Sequence, residues 1–461
     1  MVRSWVDRRR WGRAGRIILA GLTGLVLGLW PGLVPTAQAT PSLPARDLAL
    51  RDQAAAWLGQ RLADGGGLAQ TDQGDDYVTT VLAILGLSAA GVGGDQIRAS
   101  ATALAQASQR FIGSADQVGV KTTSIAWLIL ALGAAGLDPT ELVTSAGSRN
   151  LPADLAGVVR PDGQIGDYAS VAGQAVAVMA LSQTPAGVPA SALDWLEAQP
   201  CADPQAAGVG GFGVTGAGAC VGVDADTTAL VVRALAMAGA TDRPVFAAAV
   251  KYLVAAQDPF GGWAGAWTGV NTNSTGLVLW ALRSVGAAPG LPDLTLALAN
   301  GQQYIESVSF DCATAGTADA ASLGAIAYDS AVRHAPVGTP APGSVGLVQS
   351  TARGLLAYAQ AAPGLPAAVS PGLPAGFDCP AGDQPSAAAP GAPSPPPSGP
   401  ADLGGAGAAP WLWSGGALVV LVGLFLLWRR VERASSAGAR RPKAGVAPPD
   451  ATGEPSQRVS L

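Results

Sequence analysis

Two aspartates stand one residue apart in the stretch Asp224-Ala225-Asp226-Thr227-Thr228-Ala229, the clearest catalytic motif in the chain. A carboxylic acid protonates an alkene or an epoxide only where its surroundings keep it protonated and hydrogen-bonded. Asp226 is the candidate acid, with Asp224 as its neighbour. The same residues also suit a helix N-terminus, where Asp, Asn, Ser or Thr caps the first turn. The capping interpretation is favoured, because other segments of the chain have the same form.

A segment that consists of Thr or Ser followed by an apolar run recurs six times. The helices that it predicts must position these aspartates. The copies lie 45 to 54 residues apart before a last interval of 76, with anchors at Leu87, Leu132, Leu181, Leu235, Leu282 and Tyr358. Each copy predicts a helix buried on every side, because it lacks a polar face. More amphipathic segments lie between the copies. The pattern therefore predicts an all-α barrel of about six helical hairpins, with an open solenoid as the alternative.

A closed ring of parallel inner helices brings their N-termini to one rim. We expect polar side chains and nearby aromatic residues to form a ligand-binding mouth there. The predicted rim comprises Asp76, Asp167, Asp224, Asp226, Asn271, Asn273, Ser274, Phe212, Trp263 and Trp267. The alternative is that each polar residue caps a helix and that the rim is purely structural.

The two ends of the chain predict export and membrane anchoring. Residues 1–39 have an Arg-rich start, an apolar run and a small-residue cleavage site, as in a signal peptide, without deciding between general secretory and twin-arginine export. Residues 411–428 form an uncharged segment long enough to span a bilayer, and residues 429–461 form a basic tail that is expected in the cytoplasm. Residues 381–410, rich in Pro, Ala and Gly, predict a stalk. The folded domain, residues 41–380, is therefore expected outside a cell membrane that the chain crosses once.

The predicted outer portion is strongly acidic. Residues 40–410 carry 14 Lys and Arg against 28 Asp and Glu, a net charge of −14. This balance argues against nucleic-acid binding.

Four cysteines lie in the part of the chain that is expected to be exported. An even number in this compartment predicts two disulfides, and we expect Cys201 to pair with Cys220 and Cys312 with Cys379. His334 is the only histidine and no Cys-x-x-Cys motif is present, so the sequence predicts no metal site and no cofactor.

The turns before the predicted inner helices resemble the repeat of a known protein superfamily. Asp258-Pro259-Phe260-Gly261-Gly262-Trp263 and its sister turns, with the Asp-x-x-Thr segments that follow, resemble the repeat of the prenyltransferase and squalene cyclase superfamily over nearly all of residues 50–360. The resemblance implies an (α/α)6 toroid. Squalene–hopene-type cyclases carry Asp-x-Asp-Asp-Thr-Ala, and here Thr227 replaces the third carboxylate. Protein prenyltransferases need a zinc held by Asp, Cys and His, which this chain does not offer.

A third branch of the superfamily is similar to this chain in one short segment. The segment from Asn271 to Leu279 resembles an inner-helix phrase in the α-domains of intrinsic factor and transcobalamin, which bind cobalamin, although Asn273 stands where those proteins often have an aromatic residue. Their β-rich second domain is missing here, which implies a separate β-domain partner.

These observations predict a membrane-anchored toroid that binds an extracellular small molecule, with a corrinoid-like compound as the candidate, and passes it to a transporter. The alternatives are an enzyme of terpene-cyclase type that uses Asp226 and a non-catalytic scaffold for another exported protein.

Overall fold

The computed structural model describes residues 43–375, except 145–146, 215–217, 219, 287–289, 313–319, 337–340, 342, 361–363 and 367–368. The predicted signal peptide, stalk, membrane span and basic tail, together with Cys379, lie outside the described residues.

The described part of the chain is mostly helical, and its helices alternate between an inner and an outer layer. In chain order they are α1 (Ala45–Asp64), α2 (Tyr77–Ala90), α3 (Gly94–Gln106), α4 (Ser108–Ile112), α5 (Val118–Ala134), α6 (Leu151–Gly157), α7 (Val171–Ser182), α8 (Ala190–Glu197), α9 (Ala225–Met237), α10 (Pro244–Ala255), α11 (Thr272–Arg283), α12 (Thr295–Ser307), α13 (Ser330–Arg333) and α14 (Val345–Leu356).

Six of these helices form a closed ring. Helix α2 packs against α5, and the contacts continue through α7, α9, α11 and α14 until α14 returns to α2. Helices α1, α3, α6, α8, α10 and α12 pack on the outside, each against an inner helix. The inner helices are apolar on all sides because they have neighbours on all sides; in α11, for example, every residue from Thr272 to Leu282 is buried.

Short antiparallel hairpins precede several of the helices. The strands are β1 (Ala69–Thr71), β2 (Gly74–Asp76), β3 (Leu142–Thr144), β4 (Gly147–Arg149), β5 (Phe212–Gly213), β6 (Val223–Asp224), β7 (Trp263–Ala264) and β8 (Val270–Asn271), which pair in consecutive couples. Three of the hairpins lead directly into inner helices α2, α9 and α11, so the last residue of each hairpin is also the N-cap of the helix.

A threonine hydroxyl in the inner helix holds the start of each of these hairpins by a hydrogen bond. The threonine hydroxyl accepts the backbone N–H of the residue that begins the first strand, and the same arrangement occurs before α14. The pairs are Ala69 with Thr80, Phe212 with Thr228, Trp263 with Thr275 and Ile326 with Thr351, at 2.9 to 3.0 Å. The recurring threonine of the sequence repeat is therefore a structural clamp.

Two glycines allow α14 to close the ring. A Cβ atom on Gly86 of α2 would lie 2.3 Å from the carbonyl oxygen of Ala352, and one on Gly276 of α11 would lie 2.0 Å from that of Arg353. Any larger residue at either position would collide with the α14 backbone. The close packing of α14 against α2 and against α11 therefore requires a glycine at each contact.

The chain after α14 crosses the end of the ring where the inner helices terminate. The backbone N–H of Ser370 donates to Gly91 O, and Gly94 N–H donates back to Ser370 O. Deeper in, the buried guanidinium of Arg233 lies 4.5 Å from the ring centroid of Trp280 and donates to Gly364 O at 2.9 Å. The described residues of this segment, 364–366 and 369–373, therefore lie against the ends of inner helices.

The predicted Cys201–Cys220 disulfide is confirmed. Cys312 is also disulfide-bonded, while its predicted partner Cys379 lies outside the described residues.

Within the described ranges, one helical stretch has the length and apolarity of a membrane span. It is Ser108–Ala134, and more than half of its apolar window is buried inside the protein, as in a core helix.

Candidate functional site

Asp226 lies at the end of the ring where the inner helices begin, in the first turn of α9. Its carboxylate is hydrogen-bonded to Ser274 of α11. A Cβ atom added to Gly265, in the β7–β8 loop, would lie 3.2 Å from Ser274 Oγ and 3.5 Å from Asp226 Oδ2, so this loop passes directly over both groups. Burial raises the pKa of Asp226, while the Ser274 hydrogen bond and the positive charge of Arg353 act in the opposite direction.

Arg353 of α14 contributes a positive charge that acts on this carboxylate. Burial lowers the pKa of its guanidinium, and the negative charges of Asp226 and Asp76 partly compensate. A guanidinium nevertheless stays protonated at physiological pH. The ring therefore encloses a carboxylate and a guanidinium that come from two different repeats.

Besides Asp224 Oδ2 at the α9 N-cap, three buried polar atoms at this end have no hydrogen-bond partner among the described residues. They are Asp226 Oδ1, Asn273 Oδ1 and Arg353 Nε. Because buried polar groups in folded proteins are almost always hydrogen-bonded, unpaired atoms that belong to neighbouring inner helices need an explanation. We call Asp226, Asn273, Ser274 and Arg353 the mouth cluster; it offers two acceptors and one donor.

The other polar residues of the predicted rim are helix caps or are exposed. Asp76, Asp224 and Asn271 accept the backbone N–H groups of Thr79, Thr227 and Ser274 at 2.8 to 2.9 Å. Asp167 is exposed, and its own N–H donates to Gly119 O. These side chains shape the ends of the inner helices.

The three predicted aromatic residues differ in burial. Phe212 and Trp263 are fully buried instead of lining the mouth, and the Trp263 indole N–H donates to Leu253 O of outer helix α10 at 2.7 Å. Trp267 is 82 % exposed. Phe212 and Trp263 are buried because the Thr228 and Thr275 clamps fold the start of each hairpin inward.

The phrase from Asn271 to Leu279 has a structural use in this chain. Asn271 caps α11, Thr272 donates its hydroxyl proton to Ala327 O, and Thr275 clamps Trp263. Equivalent caps and clamps occur in α2 and α9. The similarity to cobalamin-binding domains is therefore explained by the repeat itself.

Asp224 gives the protein a predicted pH dependence. Burial raises the pKa of this carboxyl from 3.8 to about 6. The folded state therefore holds a proton that the unfolded chain releases, so its stabilising effect is fully present below pH 3.8 and is lost as the pH rises through about 6. We expect this carboxyl to lower the free energy of unfolding by about 2 to 3 kcal/mol between pH 4 and pH 7.5.

Urea titrations of the wild type and of Asp224→Asn across this range test the expectation. Asparagine preserves the cap, as Asn271 does in α11, and should flatten the pH dependence by that amount. Identical slopes for the two proteins would show that Asp224 does not titrate in this range.

Sequence reasoning missed Arg353. Its one signal is that it is the single charged residue of α14, and a charge within an apolar helix is a candidate for a buried contact.

Among the residues that the structure describes, no group of three or more His, Cys, Asp or Glu side chains is placed to hold a metal ion.

Several solved structures are similar to this chain at low sequence identity. A structure of the type II terpene cyclase MstE from Scytonema, in complex with geranylgeranyl dihydroxybenzoate, matches with a TM-score of 0.46 and 17% identity, over 70% of this chain and 99% of that one. A protein from Actinoplanes matches with a TM-score of 0.44 and 16% identity over 68% and 98% of the two chains. A polysaccharide lyase matches with a TM-score of 0.42 and 12% identity over 68% and 96%.

No family model and no curated protein matches the sequence. The toroid itself is shown by the closed ring of contacts among the six inner helices.

Proposed function

We propose that this protein is a binding toroid whose mouth cluster holds the polar part of an extracellular small molecule. The observation that carries the proposal is the set of three unpaired buried atoms, Asp226 Oδ1, Asn273 Oδ1 and Arg353 Nε. A ligand that satisfies them offers both hydrogen-bond donors and acceptors. The charges of Asp226 and Arg353 offset each other, which favours a neutral polar molecule with hydroxyl or amide groups. A corrinoid, whose ring bears amide side chains, belongs to this class.

The proposal includes the setting expected from the sequence. Residues 1–39 would direct export, and residues 411–428 would hold the toroid at the outer face of the cell membrane. A ligand bound there would then pass to a transporter or to a separate β-rich partner protein.

The binding test uses the full-length protein and isothermal titration against cobalamins, polyols and amide-bearing metabolites. Asn273→Ala removes one acceptor of the mouth cluster without disturbing the Asp226 and Arg353 charges, so we expect binding to weaken about tenfold. Asn300→Ala, on outer helix α12, is the matched control and should bind as the wild type does. The absence of binding across the panel, or equal loss in both variants, would contradict the proposal.

A second candidate function is acid catalysis by Asp226. The observation that favours it is that burial raises the pKa of this carboxyl while Ser274 hydrogen-bonds it, an environment in which a carboxyl can donate a proton. Incubation with squalene or shorter prenyl chains, followed by product analysis, tests it. Product that forms with the wild type and disappears with Asp226→Asn would support catalysis, whereas no product from the wild type would leave binding as the function.

A further inference from the structure

A cavity lies at the opposite end of the ring from the mouth cluster. It has a volume of about 1130 Å³ and lies between the start of α1, the ends of α2 and α11, helix α12 and the residues that follow α14. This is the end at which inner helices terminate, so none of their N-termini contributes to it. The function proposed for the mouth cluster does not involve this space.

Most of the cavity wall is apolar. Leu282 and Val285 at the end of α11, Leu291 in the following loop, and Leu294 and Leu298 at the start of α12 all line it. An apolar wall with a small number of polar groups is the usual composition of a small-molecule site. The wall therefore favours a ligand with a sizeable hydrocarbon part.

Three hydrogen-bond donors at the cavity lack an acceptor. Arg283 donates through Nη2 to Gln302 Oε1 at 3.2 Å. Tyr358 and Gln302 are only 4 % and 5 % exposed, and Gln302 donates one amide N–H to the Tyr358 oxygen. Within the described part of the chain, the Nε–H of Arg283, the second amide N–H of Gln302 and the hydroxyl proton of Tyr358 have no acceptor. These two N–H groups and one hydroxyl proton remain to be satisfied by a group that accepts hydrogen bonds.

The carboxyl groups beside these donors already have partners. Glu306 is hydrogen-bonded to Asp47, and its carboxylate lies 3.9 Å from Arg46 Nε. Burial, together with the hydrogen bond and the negative charge of Asp47, raises the pKa of Glu306 to about 7. A cationic ligand would meet Arg283, whose guanidinium is buried here. The arrangement favours a ligand that brings an oxygen acceptor.

We propose that this cavity binds an apolar small molecule through a carbonyl or carboxylate oxygen, which accepts hydrogen bonds from Gln302, Arg283 and Tyr358. The hydrocarbon part would lie against the leucine wall of α11 and α12. The shared chemistry is an oxygen acceptor on a hydrocarbon chain, and either a carboxylic acid or a ketone provides it.

The test compares three molecules with the same chain length by isothermal titration on the full-length protein. Decanoate and 2-decanone offer an oxygen acceptor, and decylamine offers a cation instead. We expect decanoate, 2-decanone or both to bind more tightly than decylamine. Binding of decylamine at least as tight as that of the other two, or no binding of any probe, overturns the proposal. The second outcome is the one expected if ordered water alone satisfies the three donors.

Two pairs of variants locate the binding. Tyr358→Phe removes one hydroxyl from the cavity and should weaken binding about tenfold. The matched control is Tyr304→Phe, whose hydroxyl donates to Val270 O elsewhere. Leu298→Trp fills the cavity and should abolish binding, whereas Leu296→Trp, on the same helix but 70 % exposed, should leave it unchanged. Unaltered binding by Leu298→Trp overturns the site whether or not Tyr358→Phe folds.

Discussion

Replacing Trp263 with alanine is expected to lower the free energy of unfolding by about 4 kcal/mol, within the range measured for buried tryptophans. The side chain is fully buried, and its indole N–H donates to Leu253 O. Its ring also lies so close to Gly301 that a Cβ atom there would come within 2.8 Å of it. The substitution therefore leaves a cavity between the inner and outer layers and removes the partner of a buried carbonyl. Urea unfolding at pH 7 measures the change.

Trp267→Ala is the matched control for this prediction. The two tryptophans belong to the same hairpin, but Trp267 is 82 % exposed. We expect its replacement to change the free energy of unfolding by less than about 0.5 kcal/mol. Similar losses for the two variants would contradict the placement of Trp263 in the core.

Gly276→Ala is expected to destabilise the protein by about 3 kcal/mol, because overpacking a rigid contact forces the backbone to shift. The added methyl group would lie 2.0 Å from Arg353 O, an atom of the α14 backbone that cannot rotate away. The seam between α11 and α14 must then open, although both helices remain otherwise intact. Thermal and urea unfolding measure the loss.

Gly346→Ala on α14 itself is the control for the seam. A Cβ atom there would meet nothing within 4 Å, and the residue is exposed. Alanine in an open helical position should raise stability by roughly 0.5 to 1 kcal/mol. If Gly276→Ala were as harmless as Gly346→Ala, the two helices would not be in the close contact described.

The sequence predicted the layers of the fold well, because layer and periodicity are local properties. Apolar segments without a polar face became the inner helices, and the more amphipathic segments between them became outer helices such as α1 and α8. The Cys201–Cys220 pair and the capping role of Asp224 also follow from short-range patterns.

Which residues form the mouth cluster was only partly predictable, because closure of the ring determines which side chains come together. Asp226 and Ser274 were recognised as polar residues at helix starts, but Arg353 reaches Asp226 from a helix more than a hundred residues later. No local signal assigns a partner over that distance. Trp263 and Trp267 have the same local chemistry, and only the Thr275 clamp makes one buried and leaves the other exposed.

The contact of α14 with α2 also sets the order in which the chain can fold. The first and last members of the ring are separated by more than 250 residues, so the ring closes only after nearly the whole domain has been synthesised. Contacts between distant parts of a chain form late and slowly, because the entropy of closing the intervening loop opposes them. Until then, the apolar faces of α2 and α11 that α14 covers stay open to solvent. A chain that ends before residue 345 would keep them open permanently, and such exposed surfaces promote aggregation.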